Sequence, residues 1–288
     1  MKNMVILGSG ESGMGAALLA KQNGWNVFVS EKDKILEKEV LISNQIDWEE
    51  GSHSLEKICL ADEIVKSPGI PEDSDLIQEI NNKGISVISE IEFAFRYTQA
   101  KIVAITGSNG KTTTTLLVGH VLKKAGYDVL VAGNVGVGFA KSILDRDYEY
   151  IVLELSSFQL DGIVDFKADI AIILNIIPDH LDRYDNDFQR YLQSKLKISN
   201  NQKENDVLIY NFDDENIRRN IHSNGKMIPF SLLHEFQQDG AFHKELKINI
   251  NINNSKMTIH ELALQGKHNL YNSMAAAVAT RVLEVQDF

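Results

Sequence analysis

Ile105-Thr106-Gly107-Ser108-Asn109-Gly110-Lys111-Thr112-Thr113-Thr114 follows a short apolar run, Ile102 to Ile105, and leads into Thr115 to Lys124, closed by Ala125-Gly126. The first run reads as a buried strand and the last as a helix, so a glycine turn joins a strand to a helix N-terminus. That geometry converges backbone N–H groups and the positive end of a helix dipole on one point, which suits a phosphate. Lys111 adds a cation for β- and γ-phosphates, and Thr112 adds a hydroxyl for Mg²⁺. Residues Gly107, Ser108, Asn109, Gly110, Lys111, Thr112 and Thr113 are therefore predicted to hold a nucleoside triphosphate. The general phosphate-loop pattern has a glycine five positions before its Gly-Lys pair. Ile105 stands there, leaving the shorter Gly-x-x-Gly-Lys-Thr form.

Upstream of this loop the sequence alternates strand and helix signals. Val5–Leu7 and Val27–Ser30 read as strands around a helix from Ser12 to Asn23, stopped by Gly24. Glu63–Val65 and Ser86–Ile88 read as strands bracketing a helix from Asp75 to Lys83, and Ser67-Pro68-Gly69-Ile70-Pro71 is a turn-rich crossing loop. Alternation of this kind predicts a mainly parallel sheet with covering helices. Tyr97 to Lys101 reads as a hinge, giving an N-terminal Rossmann-like domain over 1–96 and a central nucleotide-binding domain over 97–288. The expected strands of the second are Ile102–Ile105, Val129–Ala132, Ile151–Leu155, Ile170–Asn175 and Val207–Tyr210. Lys247 to Ile252 then alternates strictly, and Asn253-Asn254-Ser255 turns it into Lys256–His260, so a small antiparallel hairpin is appended. An alanine-rich helix from Asn269 to Val285 closes the chain.

Gly8-Ser9-Gly10-Glu11-Ser12-Gly13 matches the dinucleotide fingerprint between a strand and a helix, with Glu31 at the expected distance after the second strand. Such a loop binds a diphosphate through backbone amides and is indifferent to the nucleoside. NAD and a UDP-sugar both satisfy it, and a tight strand-to-helix turn without a ligand remains open. A second nucleotide site follows and nothing downstream reads as a hydride-transfer centre, which favours the UDP-sugar.

Tyr150 to Leu160 places Glu154 at the C-terminal end of an apolar strand, where ligands bind in open α/β sheets. Behind a phosphate loop, that acid is a candidate Mg²⁺ ligand. Asn175-Ile176-Ile177-Pro178-Asp179-His180-Leu181-Asp182-Arg183-Tyr184 puts His180 just past another strand at the same sheet edge. Tyr191 to Lys197 reads as a helix, and spacing alone makes Lys195 an ordinary surface lysine.

Composition narrows the classes. A net charge of −11 with 288 residues argues against nucleic acid as a general partner, since counterion release needs a basic face. Cys59 is the only cysteine, so no internal disulfide is possible and a reducing cytosol is expected. Met1 to Gly8 is too short in apolar length for a signal peptide, and no run approaches the ~20 apolar residues of a membrane span. A cytoplasmic protein without membrane insertion is expected.

Gly107 to Thr114, Leu153 to Leu160, Asp179 to Tyr184, Lys195-Leu196 and Gly266-Lys267-His268-Asn269 occur in order, together with the Gly8 loop and Ser67-Pro68-Gly69-Ile70. As a set they resemble the Mur ligase and folylpolyglutamate synthase superfamily across essentially the whole chain. The Leu-Glu-Leu-Ser-Ser-Phe-Gln-Leu run favours the Mur ligases that add D-glutamate to UDP-N-acetylmuramoyl-L-alanine. The resemblance implies an α/β fold with a P-loop-type ATPase domain, and a reaction in which ATP converts a carboxylate to an acyl phosphate that the amine of D-glutamate displaces. It implies Lys111, Glu154, His180 and Lys195 as catalytic residues, with Lys195 carbamylated and two Mg²⁺ held by Thr112, Glu154, His180 and Lys195. It further implies Gly8 to Gly13, Glu31, Ser67 and Gly69 on the UDP-linked substrate, with Asn134 and Ser156 against its muramoyl part. Asn269 and Asn272 are implied near adenine. A monomer is expected. The family also carries a third, Rossmann-like domain after the position of Asp287-Phe288, so the resemblance makes this chain a fragment expected to be inactive alone. A folylpolyglutamate-synthase-like ligase and a nucleotide-binding module without ligase activity are the alternatives.

Overall fold

The computed structural model describes residues 2–259 and 266–284 and divides into two compact units. The first unit comprises residues 1–98, 136–147 and 158–166, and the second 99–135, 148–157 and 167–288. The chain thus leaves the second unit twice to complete the first.

In the first unit the strands are β1 (Asn3–Leu7), β2 (Asn26–Glu31), β3 (Asp47–Glu50), β4 (Glu63–Lys66) and β5 (Ser86–Ser89). All neighbours pair in parallel, in the order β3-β2-β1-β4-β5. Helices α1 (Glu11–Gln22), α2 (Lys38–Ser43), α3 (Leu55–Ile58), α4 (Asp75–Asn82) and α5 (Glu90–Phe95) cross between or follow them. The central strand β1 is buried along Met4 to Leu7, as a parallel strand covered on both faces must be. Val5, Leu7, Ile58, Ile64, Ile77 and Ile80 form one apolar core. The strand order reverses between β1 and β4, and there the Gly8 loop meets Ser67, the crevice in which such sheets bind ligands.

Further helices are α6 (Lys111–Lys124), α7 (Phe139–Ser142), α8 (Ser157–Asp161), α9 (Phe188–Leu196), α10 (Glu215–Asn220) and α11 (Lys267–Val282). The remaining strands are β6 (Lys101–Thr106), β7 (Val129–Gly133), β8 (Tyr150–Glu154), β9 (Ile170–Ile173), β10 (Val207–Asn211), β11 (Lys226–Ser231), β12 (Gly240–Lys244), β13 (Lys247–Ile252) and β14 (Ser255–Ile259). They form one nine-stranded sheet ordered β14-β13-β12-β11-β10-β9-β6-β8-β7. Pairing is parallel from β7 to β12 and antiparallel through β12, β13 and β14, so the hairpin extends the main sheet. The expected strands are present, while β3, β11 and β12 were not legible as strands. The far end of the hairpin at His260, the expected helix end at Val285 and the chain end at Asp287-Phe288 lie outside the described residues.

Helix α6 packs beside α11, whose Ala275 to Ala279 stretch is buried throughout. Small side chains there let two helices lie close over Val103, Ile105 and Ile172 of the sheet. Among the described residues no helix is long and apolar enough to cross a membrane.

Within the first unit, α5 holds down segment 158–166 through one buried carboxylate. Glu92 Oε2 accepts from the backbone N–H groups of Val164, Asp165 and Phe166 at 2.8, 3.0 and 2.8 Å, and the residue is 0% exposed. Removing it takes the acceptor from three donors, of which the Phe166 N–H is buried while Val164 and Asp165 are exposed, and a buried donor left alone costs on the order of 1–3 kcal/mol. Glu92→Ala should therefore lower unfolding free energy by about 1–3 kcal/mol in a denaturant titration. Glu92→Gln, which keeps one acceptor, should lose less.

Candidate functional site

The phosphate loop is built as its sequence requires. Strand β6 is buried from Ile102 to Thr106 and delivers Gly107 to the C-terminal sheet edge. Gly110 caps α6 in the left-handed region, φ +86°, and a Cβ on it would lie 2.3 Å from Asn272 Oδ1. Both facts select glycine. They also bring Asn272, in the second turn of α11 and 5% exposed, directly against the loop, while Asn269 is half-buried one turn earlier.

Ser108, Asn109 and Lys111 are each held by named partners. The Ser108 hydroxyl donates to Ile177 O at 2.9 Å and pairs with the Tyr191 hydroxyl at 2.9 Å. Asn109 N–H donates to Asn175 Oδ1 at 2.8 Å, and Asn175 Nδ2 returns a bond to Asn109 O at 2.9 Å. Lys111 Nζ lies back over its own loop, donating to Gly107 O at 2.9 Å and Ser108 O at 3.0 Å. Burial pulls its amine below the ordinary lysine value, opposed by the charges of Glu154 and Asp179.

Glu154 sits where the strand pattern puts it, at the end of β8, and is 2% exposed. Its Oε2 accepts from the Thr112 hydroxyl at 2.7 Å and its Oε1 from Asn134 Nδ2 at 3.0 Å. One carboxylate thus joins α6 to the residue after β7. Ser156, two residues on, is half-buried.

Lys195 overturns the reading from spacing. It is 2% exposed, not a surface lysine, and its Nζ donates to Gly107 O at 2.9 Å while lying 4.8 Å from the centre of the Tyr191 ring. Helix α9 therefore delivers a buried amine to the carbonyl that Lys111 also uses. His180 differs. It has φ +49°, its side chain is 60% exposed, and its Nε2 lies 3.6 Å from Asp179 Oδ2. Among the described residues no group of three or more His, Cys, Asp or Glu could hold a metal ion, whereas the Glu154 carboxylate and Thr112 hydroxyl are adjacent oxygen donors. Tyr191 and Asn175 are the partners that sequence reasoning left without a role. Their signal was position: both follow strands or lie on the helix carrying Lys195.

In the first unit, Gly8 has φ +96° and a Cβ on it would lie 2.7 Å from Ser67 Cβ, while a Cβ on Gly13 would lie 2.0 Å from Gly8 O. The turn closes only with glycines at both places. Gly10 has open space where a Cβ would be, and Gly69 packs only loosely, 3.8 Å from Ser67 Oγ. Ser9 gives its N–H and hydroxyl to Glu31 Oε2 at 2.6 and 2.9 Å. Burial works against ionising Glu31, yet the donors from Asp33 and Ser9 keep its carboxyl below the usual glutamate range. Glu11 opens α1 and accepts from Gly138 N–H at 3.1 Å, and Ser12 is half-buried beside it.

The Mur ligase middle domain matches residues 105–280, and the MurD-like N-terminal domain of Mur ligases matches residues 2–89. The chain belongs to the Mur ligase family. A UDP-N-acetylmuramoylalanine--D-glutamate ligase of Christiangramia forsetii is 48% identical over 99% of this chain, and one of Bacteroides fragilis is 47% identical over 98%. The chain spans 65% of the length of each. Among solved structures, a UDP-N-acetylmuramate-alanine ligase from Thermotoga maritima covers 99% of the chain, and the chain covers 66% of it, at TM-score 0.55 and 22% identity. A UDP-N-acetylmuramate:L-alanyl-gamma-D-glutamyl-meso-diaminopimelate ligase from Neisseria covers 99%, with 95% of it covered, at TM-score 0.66 and 18% identity. These structural likenesses carry the Mur ligase fold.

The contact between Gly110 and Asn272 gives a direct check. Gly110→Ala forces a left-handed alanine, costing about 1–2 kcal/mol, and drives its methyl into Asn272. The variant should melt at a lower temperature in a calorimetric scan, and adding Asn272→Ala should recover part of that loss.

Proposed function

We propose that the whole protein is an ATP-dependent ligase that joins D-glutamate to UDP-N-acetylmuramoyl-L-alanine through an acyl phosphate, in the cytoplasmic supply of peptidoglycan precursors. Residues 1–96 are then the UDP-substrate domain and 97–288 the ATP domain. The observation that carries this reading is the Thr112–Glu154 contact, 2.7 Å, directly behind the Gly107–Lys111 turn, with Lys195 buried on the same loop. The names of the relatives at 47–48% identity support the choice of substrates.

Each residue takes a role its surroundings suit. The loop amides from Gly107 to Thr113 orient the phosphates, and Asn269 and Asn272 face the nucleoside. Lys111 exchanges the carbonyls of Gly107 and Ser108 for phosphate oxygens. Glu154 and Thr112 present the hard oxygen donors that Mg²⁺ takes, and Asn134 fixes the second Glu154 oxygen. A carbamate on Lys195, formed when its neutral amine adds carbon dioxide and releases a proton, would turn a buried amine into a carboxylate-bearing group that with His180 and Glu154 would serve a second Mg²⁺. A metal held there would offset the charge on the transferring phosphoryl group and on the substrate carboxylate. Gly8 to Gly13 receive the uridine diphosphate at the sheet's switch point, with Glu31, Ser67 and Gly69 beside it and Asn134 and Ser156 on the muramoyl part.

Calorimetric titration of the chain with UDP-N-acetylmuramoyl-L-alanine and, separately, NAD tests the N-terminal half of this reading. Binding of the UDP-sugar without NAD is expected; the reverse would overturn it. In the whole protein Lys111→Ala should lower turnover by about 10³-fold with the fold intact, and a loss under about tenfold would remove the loop from catalysis. Lys195→Ala should be nearly inactive and partly restored by short carboxylic acids, as measured by product formation. Normal turnover in that variant would reject the carbamate.

A further inference from the structure

Helix α7 begins against two carboxylates of the first unit. Glu11 Oε1 accepts from Gly138 N–H at 3.1 Å, and Glu90 Oε1 accepts from Ala140 N–H at 2.5 Å, with Phe139 N–H a further donor to Glu90. The fit is close on α1 as well, since a Cβ on Gly15 would lie 2.8 Å from Lys141 N. Residues 138–142 are therefore docked through their own first N–H groups, which a helix cannot satisfy internally.

Glu90 stands apart from Glu11. It is 3% exposed, and its Oε2 meets no hydrogen-bond partner among the described residues. It borders a cavity of about 10 Å³, room for one water, whose wall includes Ser12, Lys66, Glu72 and Gln159. The charged groups facing it do not favour an anion. Lys66 is already committed to Glu72 at 2.9 Å and to Ile70 O at 2.7 Å, and Glu11 on α1 is itself negative. A neutral carboxyl answers every demand there: its carbonyl oxygen accepts from Ala140, and its hydroxyl points a proton at the cavity.

We propose that Glu90 is a positioning residue for the Gly8–Gly13 loop: its neutral form docks residues 138–142 on α1, Glu11 passes that docking to the loop, and ligand binding there is proton-linked. The last step rests on the reading of Gly8–Gly13 as the diphosphate site. Burial, with Glu11 adding to it and the Ala140 and Phe139 amides opposing, pushes Glu90 up to about 7. The sign follows by linkage. A carboxyl raised in the docked state takes up a proton on docking, so docking is complete below about 4.5 and is lost as pH climbs through about 7.

Two measurements on this chain test it, each run from about pH 5.5 to 8.5 to span the titration. Hydrogen exchange, corrected for the intrinsic rate, reads the protection of residues 138–142 without ligand, and calorimetry reads affinity for UDP-N-acetylmuramoyl-L-alanine. In the wild-type chain both should fall by about tenfold or more with rising pH. Glu90→Gln, which copies the neutral carboxyl, should be flat in both at the wild-type low-pH level, and Glu90→Ala should be unprotected throughout. A flat wild-type protection profile, or a Glu90→Gln profile with the wild-type slope, overturns the proposal. The wild-type profile alone decides if a variant does not fold. Sloped protection with no binding of the UDP-sugar at any pH overturns the ligand reading, and the step to the loop with it, while upholding the docking by Glu90.

Discussion

Everything at the central site hangs on the Glu154 carboxylate being buried yet fully used. At 2% exposure a carboxyl group must be matched by hydrogen-bond partners, and Thr112 and Asn134 supply them from either side. The match fixes three elements at once: β8, the first turn of α6, and the residue that follows β7. It also sets the chemistry, because two oxygen donors are held at hydrogen-bond distance immediately behind a turn of backbone amides. Were the strand one residue out of register, the acid would point to the other face of the sheet. The register Ala132↔Leu153, Gly133↔Glu154 and Ile105↔Glu154 prevents that.

The same device recurs throughout the chain. Glu31 caps the Ser9 amide, Glu92 gathers three amides of 164–166, and Asp169 holds Ile102 N–H at 2.7 Å. Asp214 caps α10 and also accepts from Ile176 N–H at 2.8 Å. Asp213 accepts from the Ser231 hydroxyl, Leu232 N–H, the Tyr271 hydroxyl and His234. Burial resists its ionisation, but those donors hold its carboxyl below the usual aspartate range. An acidic chain with a net charge of −11 thus uses part of its carboxylate excess internally, tying loops at strand ends to their neighbours.

Much of this was legible because strand ends and glycine turns have strong local signatures. Ile102 to Ile105 before Gly107, and Val5 to Leu7 before Gly8, are short apolar runs ending at glycine turns that read as buried strands, and the structure places both in parallel sheets. What was illegible depended on tertiary contact. Lys195 has no local feature separating it from Lys197 on the same run; only the packing of Tyr191 beneath it and Gly107 before it makes it a site residue. Strand β11 contains Pro229, which argues against an interior strand. It is tolerated because β12 pairs only with Phe230 and Ser231, beyond the residue that lacks a donor. Strand β3, Asp47–Glu50, is mostly acidic and has no apolar alternation, so only its pairing with β2 reveals it. Glu90 and Glu92 left no such trace: acids in a first helical turn, with Glu92 third after the Ser89 cap, are ordinary, and only their burial at 3% and 0% exposure sets them apart.

The missing leading glycine of the phosphate loop has a physical explanation in the same terms. Position 105 is inside the sheet, 0% exposed, with neighbours Glu154 on β8 and Ile172 on β9. A glycine there would leave a hole beneath the carboxylate that the site depends on, and filling it with Ile105 stabilises the strand instead. The turn itself needs freedom only at Gly107, φ +155°, where a Cβ would meet Leu174, and at Gly110, φ +86°. Those two suffice because the sides of the loop are pinned elsewhere, by Asn175 on Asn109 and by Tyr191 and Ile177 on Ser108. A loop supported from outside can be short, and its specificity then belongs to α9, α11 and the strand ends as much as to the loop's own sequence.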